Sequence, residues 1–234
     1  MATKKPLLIL IACTLIALAI VVAAFPWPSQ SLYQTVVRTE AHPEGHASAT
    51  FATDCFYEGE EKLGAVAGVV STRPGLLDGH EVVEVIYDRT RLTFADLVRR
   101  ARKLKCLRGI YARTEEDLNT ARQIAGSLVE RLTERPRDVA PKHRKFALRS
   151  SIYRYLPLSP MQATKINAAL GLGRSDAERW LSRAQKTLLA RIRAMLQRDP
   201  KALDGLSPPD DGRLLEAYER RLREWLSPAP AGAD

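Results

Sequence analysis

The feature that most constrains this chain is a long apolar run near its N-terminus. Leu7–Phe25 contains 19 residues, and Thr14 is the only polar one among them. At 1.5 Å per residue, a helix of this length spans roughly 28 Å, close to the hydrocarbon thickness of a bilayer. Cleaved signal peptides usually have a shorter apolar region, of about 7–15 residues. We therefore expect an uncleaved transmembrane anchor over residues 1–25. Cleavage after the small residues Val22-Ala23-Ala24 is the open alternative.

Basic residues on the two sides of this run predict its orientation. Lys4 and Lys5 precede it, whereas residues 26–37 contain no lysine or arginine. The positive-inside rule then predicts a single-pass protein of the cell membrane with a periplasmic or otherwise extracytoplasmic body. The formal net charge of +9 suggests an anionic neighbour, but we do not expect nucleic acid as the partner of an exported domain. Cys55 and Cys106 would face an oxidising compartment, where two thiols are candidates for a disulfide or a redox pair.

Beyond the anchor, the chain divides into three parts of different character. Residues 26–46 show no sustained period and predict an irregular tether. Residues 47–156 predict an α+β domain in which helices pack on a small antiparallel or mixed sheet. Residues 157–234 predict a helical C-terminal extension, with helical patterns at 160–171, 175–198 and 211–226.

The middle part alternates strand and helix patterns. Asp78-Gly79 between two apolar stretches is a strong hairpin signal. Thr93 and Thr114 are each followed three residues later by an aspartate, which resembles a capping box and marks a helix start. The predicted strands lie at 49–52, 68–77, 81–87 and 109–113, and the predicted helices at 55–66, 93–104 and 114–132.

The most distinctive local pattern is a cysteine between a strand and a helix. Cys55 stands at the predicted first turn of the helix, and Phe56 and Tyr57 follow it directly. The unpaired N–H groups and the dipole of a helix start stabilise a thiolate, which makes such a cysteine a nucleophile. The two aromatic side chains offer an apolar wall for a small substrate group. From the pattern alone, a small buried cysteine without a chemical role is the open alternative.

A set of motifs extends this pattern along the chain. Residues 49–60 read ATFATDCFYEGE, residues 68–75 read GVVSTRPG and residues 79–88 read GHEVVEVIYD. In this order they resemble the type A peptide methionine sulfoxide reductases, which reduce the S epimer of methionine sulfoxide. The family signatures are Gly-Cys-Phe-Trp-Gly after an Ala-Thr-Phe-Ala strand, Gly-Val-x-x-Thr-x-x-Gly, and Gly-His-Ala-Glu-Val-Val-x-Val. The resemblance covers about residues 49–135 and implies a ferredoxin-like α+β core.

The resemblance also implies roles for five residues. Cys55 matches the nucleophile that attacks the sulfoxide sulfur, and Glu81 matches the carboxylic acid that protonates the sulfoxide oxygen. Phe56 and Tyr57 match the walls of the methyl pocket, with Tyr57 in place of the family's tryptophan. Cys106 aligns with an oxygen-binding tyrosine, and we expect it to resolve the sulfenic acid of Cys55 as a disulfide. A half-exposed strand position for Glu81, a structural disulfide and two unrelated buried cysteines are the open alternatives.

Two departures from the family pattern bear on activity. Asp54 replaces the family's glycine, and its charge would oppose thiolate formation at Cys55. The hairpin loop is cut to a turn, so that no residue takes the place of one of the family's oxygen-binding tyrosines. The region before residue 109, where Cys106 aligns with the second tyrosine, is also shortened. The predicted function is a membrane-anchored, thiol-dependent reductase of oxidised methionine in proteins or peptides. It would need no bound cofactor or metal, because an external thiol donor such as a thioredoxin-like protein would supply the electrons. The alternatives are a degenerate, non-catalytic binding or scaffold module and a general thiol–disulfide oxidoreductase.

Overall fold

The computed structural model describes residues 32–206 and 215–226. The transmembrane anchor predicted for residues 1–25 lies outside these ranges. Within them, none of the helices combines the length and the apolar character that a membrane crossing requires.

One mixed sheet of six strands forms the centre of the described residues. In chain order the strands are β1 (His46–Thr53), β2 (Val69–Leu77), β3 (His80–Asp88), β4 (Leu107–Ala112), β5 (Val129–Arg131) and β6 (Arg137–Asp138). Their order across the sheet is β5-β4-β1-β3-β2-β6. Neighbouring strands are antiparallel except β4 and β5, which are parallel. The predicted α+β class with a mixed sheet is confirmed.

Eight α-helices accompany this sheet in the described ranges. They are α1 (Leu32–Glu40), α2 (Phe56–Gly64), α3 (Phe94–Ala101), α4 (Glu115–Ala125), α5 (Phe146–Arg149), α6 (Pro160–Gly171), α7 (Arg183–Arg198) and α8 (Leu215–Trp225). Both predicted threonine caps are present. The Thr93 hydroxyl accepts the Asp96 N–H at 3.1 Å, and the Thr114 hydroxyl accepts the Asp117 N–H at 3.1 Å.

The hairpin between β2 and β3 turns at the predicted Asp78-Gly79. Both residues have positive φ, 51° for Asp78 and 78° for Gly79, as the tight two-residue hairpin turns require. Ala52 of β1 pairs with Val82 of β3. The start of β3, including Glu81, therefore lies beside the end of β1, from which the chain enters α2.

A helix occupies part of the segment predicted to be an irregular tether. Residues 32–40 form α1, so the expectation of irregular structure is wrong there. The buried residues of this helix are Val36 and Thr39, too few to give the sequence a visible apolar stripe. Tertiary contacts hold the helix instead: the Glu40 carboxylate accepts the Met161 N–H at 3.1 Å, in the first turn of α6.

The helix predicted over residues 114–132 is in fact a helix followed by a strand. α4 ends at Ala125, and Gly126 leaves the helical conformation with a φ of 61°. The chain then pairs with β4 as β5, with Val129 opposite Ile110. Val129 is the buried residue of this three-residue strand, and so short a strand has no periodicity for the sequence to reveal.

The predicted C-terminal helices are present with one interruption. α6 matches the prediction at 160–171, whereas the segment 175–198 divides into a 3₁₀ turn at Ala177–Trp180 and α7. Ser182 starts the new helix, because its hydroxyl accepts the Gln185 N–H at 3.1 Å and its N–H donates to Gln185 Oε1 at 2.9 Å. This capping box stops the preceding turn from continuing into α7.

The apolar core has two main clusters. The first lies between the sheet and the helices α2, α3 and α4, and its members include Phe51, Leu63, Val83, Leu97 and Ile110. The second joins the segment 148–158 to the C-terminal helices, and its members include Leu156, Ile166, Leu189, Ile192 and Leu222. α6 also contacts α2 and β2. The domain boundary predicted after residue 156 stays a prediction.

A buried lysine of α6 is hydrogen-bonded to the C-terminal end of α2. Lys165 Nζ donates to the carbonyl oxygens of Gly64 at 2.7 Å and Val66 at 2.8 Å. These carbonyls belong to the C-terminal end of α2, where a helix leaves acceptors unpaired. Burial lowers the pKa of Lys165 to about 7. This contact fixes the far end of the helix whose first turn carries the candidate site.

Candidate functional site

Cys55 lies at the junction between β1 and α2. It is the N-cap residue of α2, with an extended backbone (φ −143°, ψ 120°) and without a capping hydrogen bond from its side chain. The thiol is free and partly exposed. Cys55 therefore stands at the N-terminal end of α2, as predicted.

The Glu81 carboxylate is bonded to the same helix start. Phe56 N–H donates to Glu81 Oε2 at 2.7 Å, a contact between residues 25 positions apart in the chain. The carboxylate thereby satisfies one of the N–H groups that a helix start leaves unpaired. Within residues 32–206 and 215–226, the second oxygen, Oε1, makes no hydrogen bond. One carboxylate oxygen is therefore fixed, and the other is available to a ligand beside Cys55.

Four aromatic rings adjoin this pair. The rings of Phe56 and Tyr57 meet edge to face, with centroids 4.7 Å apart. Tyr57 is hydrogen-bonded through its hydroxyl to His143 Nδ1 at 2.5 Å, and its ring centroid lies 4.8 Å from that of Phe146. The Phe146 side chain is 49% exposed. The cluster forms an apolar surface, partly open to solvent, that starts at the residue after Cys55.

A buried ion pair holds His143 and Phe146 against α2. Glu60 is fully buried, and its carboxylate accepts the Lys145 backbone N–H at 2.8 Å and Lys145 Nζ at 2.5 Å. The Thr72 hydroxyl donates to the same carboxylate at 3.1 Å. Lys145 adopts a φ of 51°, a conformation that few non-glycine residues take. The segment 143–146 is thus fixed to the helix that carries the candidate nucleophile.

The sequence did not identify His143, Lys145 or Phe146 as site residues. All three lie in the basic stretch 142–149, which has no periodic pattern. The one available signal is the combination of a histidine with an aromatic residue in that stretch, and it is too common to be specific. Their placement depends on Glu60, whose position in α2 resembles that of an ordinary solvent-facing glutamate in the sequence.

Cys106 lies beside the segment that leads to Cys55. The Asp54 N–H donates to the Cys106 carbonyl oxygen at 2.9 Å, so the residue before Cys55 is bonded directly to Cys106. The Cys106 side chain is buried, and burial raises the pKa of its thiol. Both cysteines are free thiols in the structure. The backbone contact brings the two cysteines into the same neighbourhood.

An arginine balances the charge that was expected to oppose the Cys55 thiolate. Asp54 forms an ion pair with Arg108, which follows Cys106 by two residues. Both side chains are about half exposed, at 46% for Asp54 and 56% for Arg108. The carboxylate next to Cys55 is therefore accompanied by a cation, which reduces its repulsion of a thiolate.

Comparison with known proteins does not extend these observations. The chain matches no model of a known protein family, and no curated protein matches it. In the two described ranges, no group of three or more His, Cys, Asp or Glu side chains is arranged to hold a metal ion. The resemblance to the reductases therefore rests on the motifs at 49–60, 68–75 and 79–88.

Proposed function

We propose that this chain is a thiol-dependent reductase that resembles the type A methionine sulfoxide reductases and acts on oxidised methionine in proteins or peptides. The hydrogen bond from Phe56 N–H to Glu81 Oε2 at 2.7 Å carries the proposal. It holds a carboxyl group at the helix start that Cys55 caps. An acid and a nucleophile in one place are what a sulfoxide requires, because its sulfur is attacked when its oxygen is protonated or strongly hydrogen-bonded.

In the proposed reaction, the oxygen of the sulfoxide passes to a cysteine. The Cys55 thiolate attacks the sulfoxide sulfur, and the sulfoxide oxygen takes a proton from Glu81 Oε1. The resulting hydroxyl then passes from the substrate sulfur to the Cys55 sulfur: the new S–S bond and the substrate S–O bond break, a Cys55 S–O bond forms, methionine leaves, and Cys55 becomes a sulfenic acid. The substrate gains two electrons and Cys55 loses two. The methyl group of the substrate would lie against the rings of Phe56 and Tyr57, with His143 and Phe146 completing that wall.

Cys106 and an external thiol donor would then return Cys55 to its reduced state. The Cys106 thiol attacks the sulfenic acid of Cys55, a disulfide forms and water leaves. A thioredoxin-like dithiol reduces that disulfide, returns both thiols and is itself oxidised. Burial raises the pKa of the Cys106 thiol, so a smaller fraction of it is the nucleophilic thiolate than at an exposed cysteine.

The order of elements supports the same proposal. β1, α2, β2, β3, α3 and β4 follow one another as β-α-β-β-α-β, the ferredoxin-like succession that the resemblance implies. Turnover of the S epimer and not of the R epimer by the full chain, with a thiol reductant, is the experiment that tests the proposal.

Replacing Cys106 with serine is expected to stop the reaction after its first step. With a thioredoxin-like donor present, Cys106→Ser should release about one equivalent of methionine and then stall, since a serine cannot form the disulfide that such a donor reduces. Mass spectrometry with a sulfenic-acid-specific label should find the label on Cys55. Cys13→Ser is the matched control, because it also removes one thiol and should retain full turnover. Continued turnover by Cys106→Ser with this donor would contradict a resolving role.

We further propose that residues 1–25 anchor the chain in the cell membrane and that residues 26–234 lie outside the cytoplasm. The charge asymmetry around Leu7–Phe25 supports this topology. A C-terminal fusion to an alkaline phosphatase, which is active only after export, should be active. The double variant Lys4→Glu, Lys5→Glu should lose part of the phosphatase activity, because it removes the basic residues that orient the anchor. Activity of a cytoplasm-dependent reporter at the same position would contradict the topology.

A non-catalytic binding module is the second candidate function, and the hairpin favours it. The two-residue turn at Asp78-Gly79 leaves no loop for the family's oxygen-binding tyrosine. The lack of this contact would weaken transition-state stabilisation, which typically depends on several donors. The absence of turnover for either epimer, in a folded chain with a good reductant, would favour this function and exclude both the reductase and its Cys55 chemistry.

A further inference from the structure

A large cavity lies apart from the Cys55 site. Its volume is about 700 Å³, and β2, β3, the segment 144–164 and residues 203–206 line it. Its lining includes none of the residues assigned to the thiol reaction, Cys55, Phe56, Tyr57, Glu81 and Cys106. The volume falls within the range of about 300–1,000 Å³ that is usual for small-molecule sites.

Basic side chains dominate the charged part of this cavity. The cationic lining residues are Arg73, Arg135, Arg144, Lys145, Arg149 and Arg154. The carboxylates in the lining are those of Glu84 and Asp204. Two further carboxylates outside the lining pair with three of the cations: Asp138 lies 3.2 Å from Arg73 and 3.7 Å from Arg144, and Glu60 lies 2.5 Å from Lys145. Arg135 and Arg154 form no ion pair within the described ranges.

Two of the arginines have donor capacity left for a ligand. Arg135 and Arg154 are both exposed, and neither forms an ion pair in the part of the chain that the structure describes. Arg154 contacts the hydroxyl and the ring face of Tyr155. An anionic group in the cavity could accept hydrogen bonds from both guanidinium groups.

Part of the remaining lining is apolar. Ile86, Pro160 and Ala163 retain exposed surface, and Leu148, Leu158 and Leu206 are each at most 8% exposed. Ala163, on α6, is a small side chain in the same wall. An inorganic anion would satisfy the arginines but would leave these surfaces without a partner. The cavity therefore suits a molecule with an anionic group at one end and an apolar group at the other.

We propose that this cavity binds a small amphipathic anion, with its acidic head at the arginines and its apolar body against the leucines. Charge complementarity selects against neutral and cationic amphiphiles, and the apolar wall selects against inorganic anions. The proposal does not depend on the thiol reaction, since none of the residues assigned to that reaction lines the cavity; Thr72 and Lys145 line it and also contact Glu60 of α2.

Calorimetric titration tests the proposal, with the full chain held in nanodiscs of neutral phosphatidylcholine. Empty nanodiscs give the heat that comes from partitioning of the probe into the lipid alone. Octyl phosphate is the probe, with octyltrimethylammonium and inorganic phosphate as comparisons. We expect octyl phosphate to bind about 100-fold more tightly than inorganic phosphate, because burial of roughly three or four of its methylenes contributes about a fourfold gain each. Octyltrimethylammonium should show no saturable binding. Absence of octyl phosphate binding, or equal binding of inorganic phosphate, would overturn the proposal.

Three variants test whether octyl phosphate binds in this cavity: two change residues of its lining, and one changes residues outside it. Arg135→Glu, Arg154→Glu should weaken octyl phosphate by about tenfold or more, and Ala163→Phe should do the same by filling the apolar end. Arg100→Glu, Arg122→Glu changes the net charge equally on exposed residues outside the cavity, and it should leave the affinity unchanged. Equal losses in both charge variants would show binding by general electrostatic attraction and would contradict the site.

A lipid and a free solute are the two sources of such an anion. Nanodiscs that contain phosphatidic acid distinguish them, because a bilayer lipid that enters the cavity would compete with octyl phosphate and reduce its apparent affinity. An unchanged affinity assigns the site to a soluble amphiphile.

Discussion

Replacing Cys55 with serine is expected to abolish reduction of the S epimer of methionine sulfoxide. A serine hydroxyl is far less acidic than a thiol, so the helix start that stabilises a thiolate does not produce an alkoxide there. A serine also cannot take up the sulfoxide oxygen as a sulfenic acid does. Turnover should fall to the level of the reaction without protein, as measured by chromatography of the methionine released.

Two controls accompany Cys55→Ser: its own thermal unfolding and the activity of Cys13→Ser. The Cys55 thiol makes no capping hydrogen bond and is partly exposed, so serine at this position should leave thermal unfolding nearly unchanged. Cys13→Ser removes a thiol outside the described ranges and should retain activity. Residual turnover by Cys55→Ser that is above background would assign the chemistry to another residue.

Replacing Glu81 with glutamine is expected to slow the reaction by roughly 10²–10⁴-fold, the usual effect of losing a general acid. The substitution is nearly isosteric, and the amide oxygen of glutamine still accepts the Phe56 N–H that Glu81 Oε2 accepts at 2.7 Å. The helix start is therefore preserved, while the proton that must reach the sulfoxide oxygen is missing. Single-turnover kinetics in the absence of a donor measure this step directly.

A second glutamate provides the comparison for that result. Glu130 lies exposed in β5, away from Cys55, and Glu130→Gln should leave the rate of methionine release unchanged. If Glu81→Gln released methionine as fast as the unmodified chain, Glu81 would be a capping residue of α2 and not an acid. The sulfoxide oxygen would then receive its proton from water or from another group.

Local signals in the sequence were sufficient for four of the six strands and for the position of Cys55 between a strand and a helix. Asp78-Gly79 fixed the hairpin and its register, since two residues with positive φ are rare outside such turns. Thr93 and Thr114 marked two helix starts that the structure confirms. The pairing of Ala52 with Val82, which brings Glu81 to the start of α2, joins strands that are not consecutive, and no local signal predicted it.

Long-range contacts account for the features that the sequence did not predict. The wall formed by His143 and Phe146 depends on a buried bond between Glu60 and Lys145, 85 positions apart. The helix α1 depends on Glu40 and on α6, 121 positions away. Neither contact leaves a periodic pattern, because each involves single side chains whose burial is decided by distant elements. The cavity has the same origin, since its arginines come from a strand, a helix, a 3₁₀ turn and the connections between elements.

The most direct test of the account is a donor-free single turnover with thiol mapping. The fully reduced chain is incubated with each epimer of a methionine sulfoxide peptide, methionine is quantified, and the cysteines are mapped by mass spectrometry. The account predicts about one equivalent of methionine from the S epimer and none from the R epimer, with Cys55 and Cys106 joined as a disulfide afterwards. If neither epimer yields methionine and both thiols remain free, Cys55 is not the nucleophile of a sulfoxide reductase.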